Sequence, residues 1–589
     1  MKRLIIALAS MPYLVNAQET STTGSDTTIL KNIEVVKEYN PVIKEAGKIS
    51  TLPELKEVKT EKKGSNISVW TNPYTLQPTT PPTLDYATVE ATAQKTQKPR
   101  YVRVGAGTYT SFLGEIYTPI VKNNNTLLDF YALHNSSFGD VKLTPKMYDQ
   151  LDKEVETKAT DNDTKAKVTY TRSIKNKELS AFVNGGYRLS KYYGLDSTKL
   201  QAVDGGENYF SNDTAKQGIF CLGANVRFRS KDYISRWKYD VQANYQLFSC
   251  RDDLREHTIH TNLNGAYRFD NSSLHLDFDM HNIIMSLPSD TWQYHFEAGE
   301  TLNNYTVIKL KPSYYFSGEI GEINVGVKGA FSIHQGKKGA VTPDVYGKVK
   351  LIKNVLAVYA GVTGDYIVNN YQNMTEFNPY ISIDTRVEDT YMPIDAYVGV
   401  TMKIAKRVDM DLHAGYKLIE NPYFFVNRCD STGYFKNTFD VVYDDKAGVF
   451  NAGLLLSYNW KERLNIRFNG IFNKWALTDL EEAWHRPKWQ LDFEGSYLVT
   501  DNLRFRLGYQ MQAGAKAILG CQKTEKEYVA FKQVDLPVSH NLYLGADYRL
   551  LKWLDLFVNF DNIAAQEYQT WYGYTQHRFN FMGGVSIVF

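Results

Sequence analysis

The chain has 589 residues, a formal net charge of +2 at pH 7 and a mean hydropathy of −0.40. A net charge this close to zero argues against a nucleic-acid partner, because such partners are bound through strongly basic surfaces. Four cysteines are too few to form the main framework of so large a fold.

The N-terminus predicts export. Lys2 and Arg3 precede an apolar stretch, and short residues close it at Ala17. This pattern is typical of a signal peptide, whereas a membrane-spanning helix needs about 20 apolar residues and would have to continue through Pro12. We therefore assign residues 1–17 to a signal peptide.

Residues 18–100 form a polar region with few aromatic residues, which predicts a partly disordered periplasmic segment. A short β-prone island lies within it. Such an island can add a strand to the exposed sheet edge of a partner. It runs from Lys31 to Val36 and contains Ile33, Glu34, Val35 and Val36.

From residue 101 onward, strand-like runs alternate apolar and polar residues. The clearest run is Val408–Leu418, and Leu503–Met511 and Leu554–Asp561 repeat its pattern. A period of two places the apolar side chains on one face of a strand and the polar ones on the other. The content of 42 Tyr beside 29 Phe and 9 Trp fits the two lipid–water boundaries of a membrane barrel.

Ten short polar turns alternate with mostly longer connections. The turns lie near Lys122–Asn125, Lys175–Lys177, Ser230–Tyr233, Asp270–Ser272, Gly318–Gly321, Lys353–Asn354, Ala405–Arg407, Trp460–Glu462, Thr500–Asn502 and Leu551–Trp553. The longer connections include Asp140–Lys165, Asp196–Lys216, Asn369–Glu388, Asn421–Asp445 and Leu519–Leu536. Short periplasmic turns and long outer loops predict an all-β fold, a transmembrane antiparallel β-barrel at 101–589 with about 22 strands. A count of 20 stays open, because the hairpin at Tyr101–Val121 and the segment Tyr423–Cys429 are ambiguous.

The last strand ends in an aromatic residue. Phe579, Phe581, Val585, Ile587 and Phe589 share the predicted lipid face. Gly584, Ile587 and Phe589 resemble the C-terminal assembly signal of Gram-negative outer-membrane proteins, although a polar residue is usual where Met582 stands. The resemblance implies outer-membrane lipid and the barrel assembly machinery as partners.

The region before this strand resembles the end of TonB-dependent outer-membrane receptors. The residues that carry the resemblance are Asn559–Ile563, Glu567-Tyr568, Tyr572–Tyr574 and Arg578, with Gly105–Tyr109, Leu113–Glu115 and His134–Ser137 near the start of the barrel. It implies TonB as a partner and Ile33–Val36 as the TonB box. One departure is that residues 37–100 are too few and too polar for a plug domain of normal size, so we expect a reduced or absent plug.

Site chemistry is sparse. His257 and His260 lie on opposite faces of a predicted strand, and Asp161–Asp163, in a predicted loop, lacks the Gly and Glu of a calcium-binding EF-hand. One face of a predicted strand carries four polar side chains: His275, Asp277, Asp279 and His281. We interpret this face as solvated lumen wall, because a cation site there would need further ligands from neighbouring strands. The sequence assigns no catalytic residue, metal site or cofactor, so we expect no enzyme.

We therefore predict a TonB-dependent-receptor-like importer of an unidentified ligand. The alternative is an accessory or structural barrel of a complex with another outer-membrane protein or lipoprotein, and a passive porin comes third, since an unplugged barrel leaks unless its loops fold inward. Disulfide pairing stays open: Cys221 and Cys250 lie in or near predicted strands, and Cys429 and Cys521 in predicted loops.

Overall fold

A computed structural model describes residues 100–148, 151–195, 216–232, 234–250, 254–286, 304–382, 385–404, 407–429, 435–461, 463–523 and 528–589. The predicted signal peptide and nearly all of the predicted periplasmic segment, including Ile33–Val36 and the plug question, lie outside these residues. No helix in the described ranges is long and apolar enough to cross a membrane.

Twenty-two of the described strands form one sheet. These are β1 (Tyr101–Gly107), β2 (Ser111–Lys122), β3 (Thr126–Ser137), β6 (Asp161–Ile174), β7 (Lys177–Lys191), β8 (Lys216–Ser230), β9 (Trp237–Cys250), β10 (Arg255–Arg268), β11 (Ser272–Ser286), β12 (Tyr305–Ser317), β13 (Gly321–Ile333), β14 (Gly339–Ile352), β15 (Leu356–Ile367), β16 (Thr390–Ile404), β17 (Val408–Glu420), β20 (Lys446–Trp460), β21 (Leu464–Leu477), β22 (Trp489–Thr500), β23 (Leu503–Ala513), β26 (Ser539–Leu551), β27 (Leu554–Asp561) and β30 (Asn580–Val588).

The remaining elements lie in the connections between these strands. They are β4 (Asp140–Leu143), β5 (Val155–Lys158), α1 (Tyr371–Phe377), β18 (Tyr423–Cys429), β19 (Phe435–Tyr443), β24 (Lys516–Lys523), β25 (Tyr528–Asp535), β28 (Gln569–Trp571) and β29 (Tyr574–Thr575).

The sheet closes on itself through its first and last strands. β1 pairs antiparallel with both β2 and β30, and Gly105 lies opposite Gly584 in the closing pair. The Phe557 ring lies so close to both glycines that a Cβ atom on either would overlap it. The Arg103 guanidinium lies 3.8 Å from the centre of the same ring. Because Gly105 and Gly584 have no side chains, the Phe557 ring has room to pack over the seam between β1 and β30.

The predicted arrangement of turns is confirmed. Ten connections of two to six residues join the barrel strands at one end, at the predicted positions, and the strand count is 22. Tyr101–Val121 forms the first hairpin, while Tyr423–Cys429 forms β18, which lies outside the barrel sheet. Because the short-turn end of such a barrel faces the periplasm, the longer connections lie on the outer side.

The two faces of the wall differ as the alternation predicts. Leu412 on the outer face of β17 is 51% exposed, whereas Lys417, an inward side chain of the same strand, is buried and forms an ion pair with Asp395 at 3.2 Å. Trp237 and Trp553 are exposed next to short turns, where aromatic side chains meet the lipid–water boundary. The closed ring with its apolar outer belt is a transmembrane barrel of the outer membrane.

Three loop assignments from the sequence are wrong. Cys429 ends β18 and Cys521 lies in β24, because both connections fold into hairpins. Asp161–Asp163 lies in β6, where pairing with β7 extends the barrel wall, and the Arg188 guanidinium donates to the Asp161 carboxylate. The predicted long connection Asp140–Lys165 is shorter than expected for the same reason.

Candidate functional site

The long connections fold into one another at the outer mouth of the barrel. We call these segments the lid. Within the described residues it consists of 138–148, 151–160, 192–195, 368–382, 385–389, 421–429, 435–445, 478–488, 514–523, 528–538 and 562–579.

The lid has a hydrophobic core rich in aromatic side chains. Trp571 is 2% exposed, and its ring contacts those of Phe377, Phe425 and Phe439 at centroid distances of 5.2–5.5 Å. The core continues into the barrel wall through Ile219 of β8, Phe248 and Cys250 of β9 and Leu254 next to β10. Its other buried members belong to the lid: Val141, Ala159, Tyr192, Tyr193, Tyr371, Met374, Tyr380, Ile381, Val387, Val441 and Tyr574. Aromatic burial on this scale predicts a stable closed arrangement of loops.

Lid contacts reach across the mouth of the barrel. The Asn437 side-chain amide donates to the backbone oxygen of Tyr192 at 3.0 Å. Tyr192 follows β7, the fifth strand of the ring, and Asn437 lies between the fifteenth and sixteenth strands, β17 and β20. Ten strands separate the two residues, and eleven is the largest separation in a ring of 22. The lid therefore spans the lumen nearly at its full width.

The connection between β27 and β30 lies at the centre of the lid. The Tyr574 ring stacks on the Tyr380 ring at 3.6 Å with an angle of 15° between the planes. The Tyr193 hydroxyl donates to the Thr575 backbone oxygen at 3.2 Å, and the Tyr574 hydroxyl donates to the backbone oxygen of Asn437. These contacts join three connections to the one that precedes the last strand.

His485 is held neutral by its hydrogen bonds. Its Nδ1 atom lies 2.8 Å from the Phe425 backbone oxygen and must donate, while its Nε2 atom accepts from the Tyr572 N–H at 3.3 Å. Burial lowers the pKa of His485 to about 4, and the adjacent Arg486 cation acts in the same direction. If Nε2 were protonated, its N–H would face the Tyr572 N–H, and two donors would be left without an acceptor. The closed lid therefore requires the neutral ring.

Arg486 lies among aromatic rings. Its guanidinium donates to the Tyr423 backbone oxygen at 2.8 Å and lies 5.3–5.6 Å from the ring centres of Phe377, Tyr423 and Phe424. A guanidinium over ring faces gains cation–π attraction where water is excluded. The residue thus links the β21–β22 connection to the lid core.

A second contact region joins the lid to β10. The Tyr371 N–H at the start of α1 donates to the Glu256 carboxylate at 2.9 Å, and the Asn370 amide reaches the Thr258 hydroxyl at 3.4 Å. Nearby, the Asp389 carboxylate accepts hydrogen bonds from Tyr305, Tyr366 and Asn369. Burial raises the pKa of Asp389 to about 6.

Below the lid, the described part of the chain contains one cluster of candidate metal ligands. It comprises His260 of β10 with Asp279 and His281 of β11. The sequence had placed Asp279 and His281 on one face, and it had predicted that any cation site needs a neighbouring strand. His275 and Asp277 share that face, but the cluster does not include them.

The structure places the predicted assembly-signal residues at the seam. Gly584 and Ile587 lie in β30, and Phe589 follows it with its ring 65% exposed. The lid itself was missed by sequence reasoning. The sequence feature that could have indicated the lid is the concentration of large aromatic residues in Trp571–Tyr574. From the sequence alone, this feature contributes only to the family resemblance.

Comparisons with known proteins support the fold of this chain through solved structures alone. No protein-family model and no curated protein sequence matches the chain. Among solved structures, the chain resembles the siderophore receptor PirA from Acinetobacter baumannii, with a TM-score of 0.61 at 9% identity over 83% of this chain and 80% of that chain. It also resembles a variant of the ferric enterobactin receptor PfeA from Pseudomonas aeruginosa in complex with enterobactin, with a TM-score of 0.60 at 12% identity over 83% and 81%.

A third similar structure is the ferric-catecholate import receptor Fiu from Escherichia coli K12, in a closed form. Its TM-score is 0.56 at 10% identity, over 84% of this chain and 82% of that one. Identities this low carry the fold and leave side-chain chemistry to be argued from the chain itself. With its closed ring of 22 strands, the chain has the barrel fold of TonB-dependent outer-membrane receptors.

Proposed function

We propose that the protein imports a ligand across the outer membrane in the manner of a TonB-dependent receptor, and that the ligand is an iron chelate of the siderophore type. The observation that carries the proposal is the barrel. Its likeness extends over more than four fifths of the chain to receptors whose names specify siderophore, ferric enterobactin and ferric catecholate.

The lid determines how such import has to proceed. A ligand arriving from outside meets a closed aromatic core in which Trp571 and Tyr574 are buried. Entry therefore requires lid segments to separate and expose apolar surface to water, which costs free energy in proportion to the area exposed. Ligand contacts made only in the open state supply part of that free energy, because a ligand shifts an equilibrium by its differential affinity for the two states.

In this proposal the N-terminal segment couples the barrel to the periplasm. Ile33–Val36 has the composition of a strand that pairs with a partner's sheet edge. We propose that this partner is TonB. A pull on the segment from the periplasmic side would complete transport after the lid has opened.

The lid also supports a second function. A barrel closed across its outer mouth by Tyr192–Asn437 and by the core around Trp571 does not need to open in order to serve as an accessory subunit. In that role the N-terminal segment would pair with another outer-membrane protein or lipoprotein. The two functions differ in what the segment binds.

The test uses a strain that carries the full-length protein with a photoreactive amino acid at position 35. We expect light to crosslink this position to TonB. In parallel, Val35→Pro, which removes a backbone donor and fixes φ, should abolish uptake of ⁵⁵Fe-labelled ferric enterobactin at unchanged barrel abundance. Ferric enterobactin is the probe because a similar structure contains enterobactin.

Val58→Pro is the matched control, since it changes the same residue type in the same polar segment outside Ile33–Val36. It should leave the crosslink and the uptake intact. Crosslinking of position 35 to another outer-membrane subunit, or only to the protein's own barrel, would overturn the importer and favour the accessory role.

A further inference from the structure

Among the described residues, two histidines and a carboxylate form a triad on adjacent strands of the lumen wall. His260 lies opposite His281 in the β10–β11 pairing, and Asp279 lies opposite Asn262. All three triad residues belong to the inward set that alternates with outward Ile259 and Met280 along the two strands. The strand pairing therefore holds three potential metal ligands on one wall, near the middle of both strands.

The ligand atoms converge on a single point. Asp279 Oδ2 lies 2.7 Å from His260 Nε2, and Asp279 Oδ1 lies 2.8 Å from His281 Nε2. The two imidazole rings are nearly parallel, at a centroid distance of 4.1 Å and an angle of 9°. One ligand atom from each residue lies within 4.8 Å of the other two. The three side chains are therefore close enough for one ion to contact a ligand atom of each.

The surroundings favour an ion at this position over a purely structural network. The Asn262 amide donates to Asp279 Oδ2 at 3.2 Å, which orients the carboxylate. Lys309, the neighbour of Asp279 on β12, forms its ion pair with Asp365 at 3.3 Å. The ammonium group is thus directed to another carboxylate, while Asp279 faces the two histidines. A hydrogen bond from an amide of this kind fixes the orientation of a carboxylate that binds a metal.

Water reaches the triad, since its side chains retain 23–28% exposure toward the lumen. A contrasting arrangement on β17 places His413 Nδ1 2.9 Å from the Asp411 carboxylate, with one imidazole in place of two. The triad therefore offers one more nitrogen ligand than the His413–Asp411 pair, together with space for solvent ligands.

We propose that His260, Asp279 and His281 bind a divalent transition-metal ion through two Nε2 atoms and one carboxylate oxygen, with Zn²⁺ as the best-fitting test ion. Two imidazoles and a carboxylate are a donor set found in tetrahedral zinc sites whose fourth position is open to water. The same set binds other divalent ions of the first transition row, with affinities that generally rise from Mn²⁺ to Cu²⁺.

The site lies directly beneath the lid. Glu256, Thr258 and His260 are alternate residues on the lumenal face of β10, about 7 Å apart in successive steps. The first two hold the start of α1 through Tyr371 and Asn370. A bound ion would thus occupy the next position on the wall below the contact that fastens this part of the lid.

The test measures zinc binding to the mature full-length protein purified in detergent without a polyhistidine tag. Titration calorimetry should give one Zn²⁺ per chain for the wild type. His281→Gln should weaken binding at least tenfold, and the double change of His260→Gln with Asp279→Asn should abolish it. Cobalt substitution should give visible ligand-field absorption in the wild type that is lost in the double variant.

Two controls keep the result interpretable. His413→Gln removes a lumenal histidine from the one-imidazole pair, and His257→Gln removes an outward histidine from β10 itself, so both should bind Zn²⁺ as the wild type does. Heat modifiability on gels should show that each variant is a folded barrel. Equal zinc affinity in the wild type and a folded double variant, or no stoichiometric binding to the wild type, would overturn the proposal.

Discussion

His485 Nε2 accepts a hydrogen bond from the backbone N–H of Tyr572 at 3.3 Å, and this contact joins the β21–β22 connection to the β27–β30 connection. Because burial lowers the pKa of His485 to about 4, from an ordinary value of about 6.5, the closed lid favours the neutral ring. The stability that follows is present above pH 6.5 and is lost as the pH falls toward 4. Acid should therefore loosen the lid at this contact.

The measurement is the rate of proteinase K cleavage within the lid on whole cells. His485→Gln does not titrate, so the ratio of the wild-type rate to the variant rate should rise several-fold from pH 7.5 to pH 5. The ratio cancels the pH dependence of the protease and of Asp389. Asp389 changes the stability of the lid in the opposite direction. Because its pKa is raised to about 6, the stability that it contributes is lost as the pH rises. A constant ratio would contradict this role of His485.

The barrel could be predicted from sequence because its information is local. Alternation along Val408–Leu418 fixes which side chains face lipid, and short turns fix the pairing of neighbouring strands. The lid could not be predicted in this way. Tyr192 and Asn437 are 245 residues apart, and neither belongs to a periodic pattern that a partner could match. Such contacts depend on how seven irregular connections pack against one another at the outer mouth of the barrel.

The metal triad falls between these two cases. A period of two places Asp279 and His281 on one face of β11, and this much was predicted. The contribution of His260 depends on the register between β10 and β11, which pairs it with His281. A shift by one residue would turn its side chain out toward lipid. Turn length predicts a hairpin but leaves that register open.

The lid core should depend on Trp571. Trp571→Ala removes a 2% exposed indole that contacts four aromatic rings, the His485 imidazole among them, and such a truncation typically costs about 3–5 kcal/mol. We expect proteinase K to cleave lid segments faster in whole cells while the barrel stays intact. Trp489→Ala is the matched control, because that indole lies at the same end of the barrel but is 50% exposed. Equal protection of both variants would show that Trp571 does not hold the lid closed.

The two faces of the wall should differ in their tolerance of charge. Leu412→Arg places a cation among lipid tails, at a cost of about 2–4 kcal/mol near the bilayer midplane. His413→Arg places the same residue in the lumen next to the Asp411 carboxylate. We expect the first change to reduce folded barrel in outer membranes far more than the second. Similar abundance of the two variants would reverse the face assignment on β17.

The closing seam should reject a side chain at Gly584. A Cβ atom there would lie 2.1 Å from the Val104 backbone oxygen and 2.5 Å from the Phe557 ring. Gly584→Val should therefore lower the temperature at which the barrel unfolds on heated gels. Gly347→Val is the control, since a Cβ atom at Gly347 on β14 meets no atom within 4 Å. A seam variant as heat-resistant as the control would show that the strands separate enough to accommodate the methyl groups.

Phe589 tests assembly separately from stability. Its backbone N–H donates to the Arg100 oxygen at 2.9 Å, but the residue is 65% exposed on the lipid-facing surface of the barrel. The ring therefore contributes little packing within the folded protein. We predict that removing Phe589 sharply reduces the amount of protein inserted into the outer membrane, because the aromatic terminus resembles the signal that the assembly machinery recognises.

The molecules that do insert should unfold at nearly the same temperature as the wild type, since they lose one terminal hydrogen bond and an exposed ring. Phe589→Tyr, which keeps an aromatic terminus, should restore insertion. Normal abundance after deletion would show that Phe589 is not an assembly signal. Low abundance combined with a large drop in unfolding temperature would instead assign Phe589 to stability, because insertion and packing would then fail together.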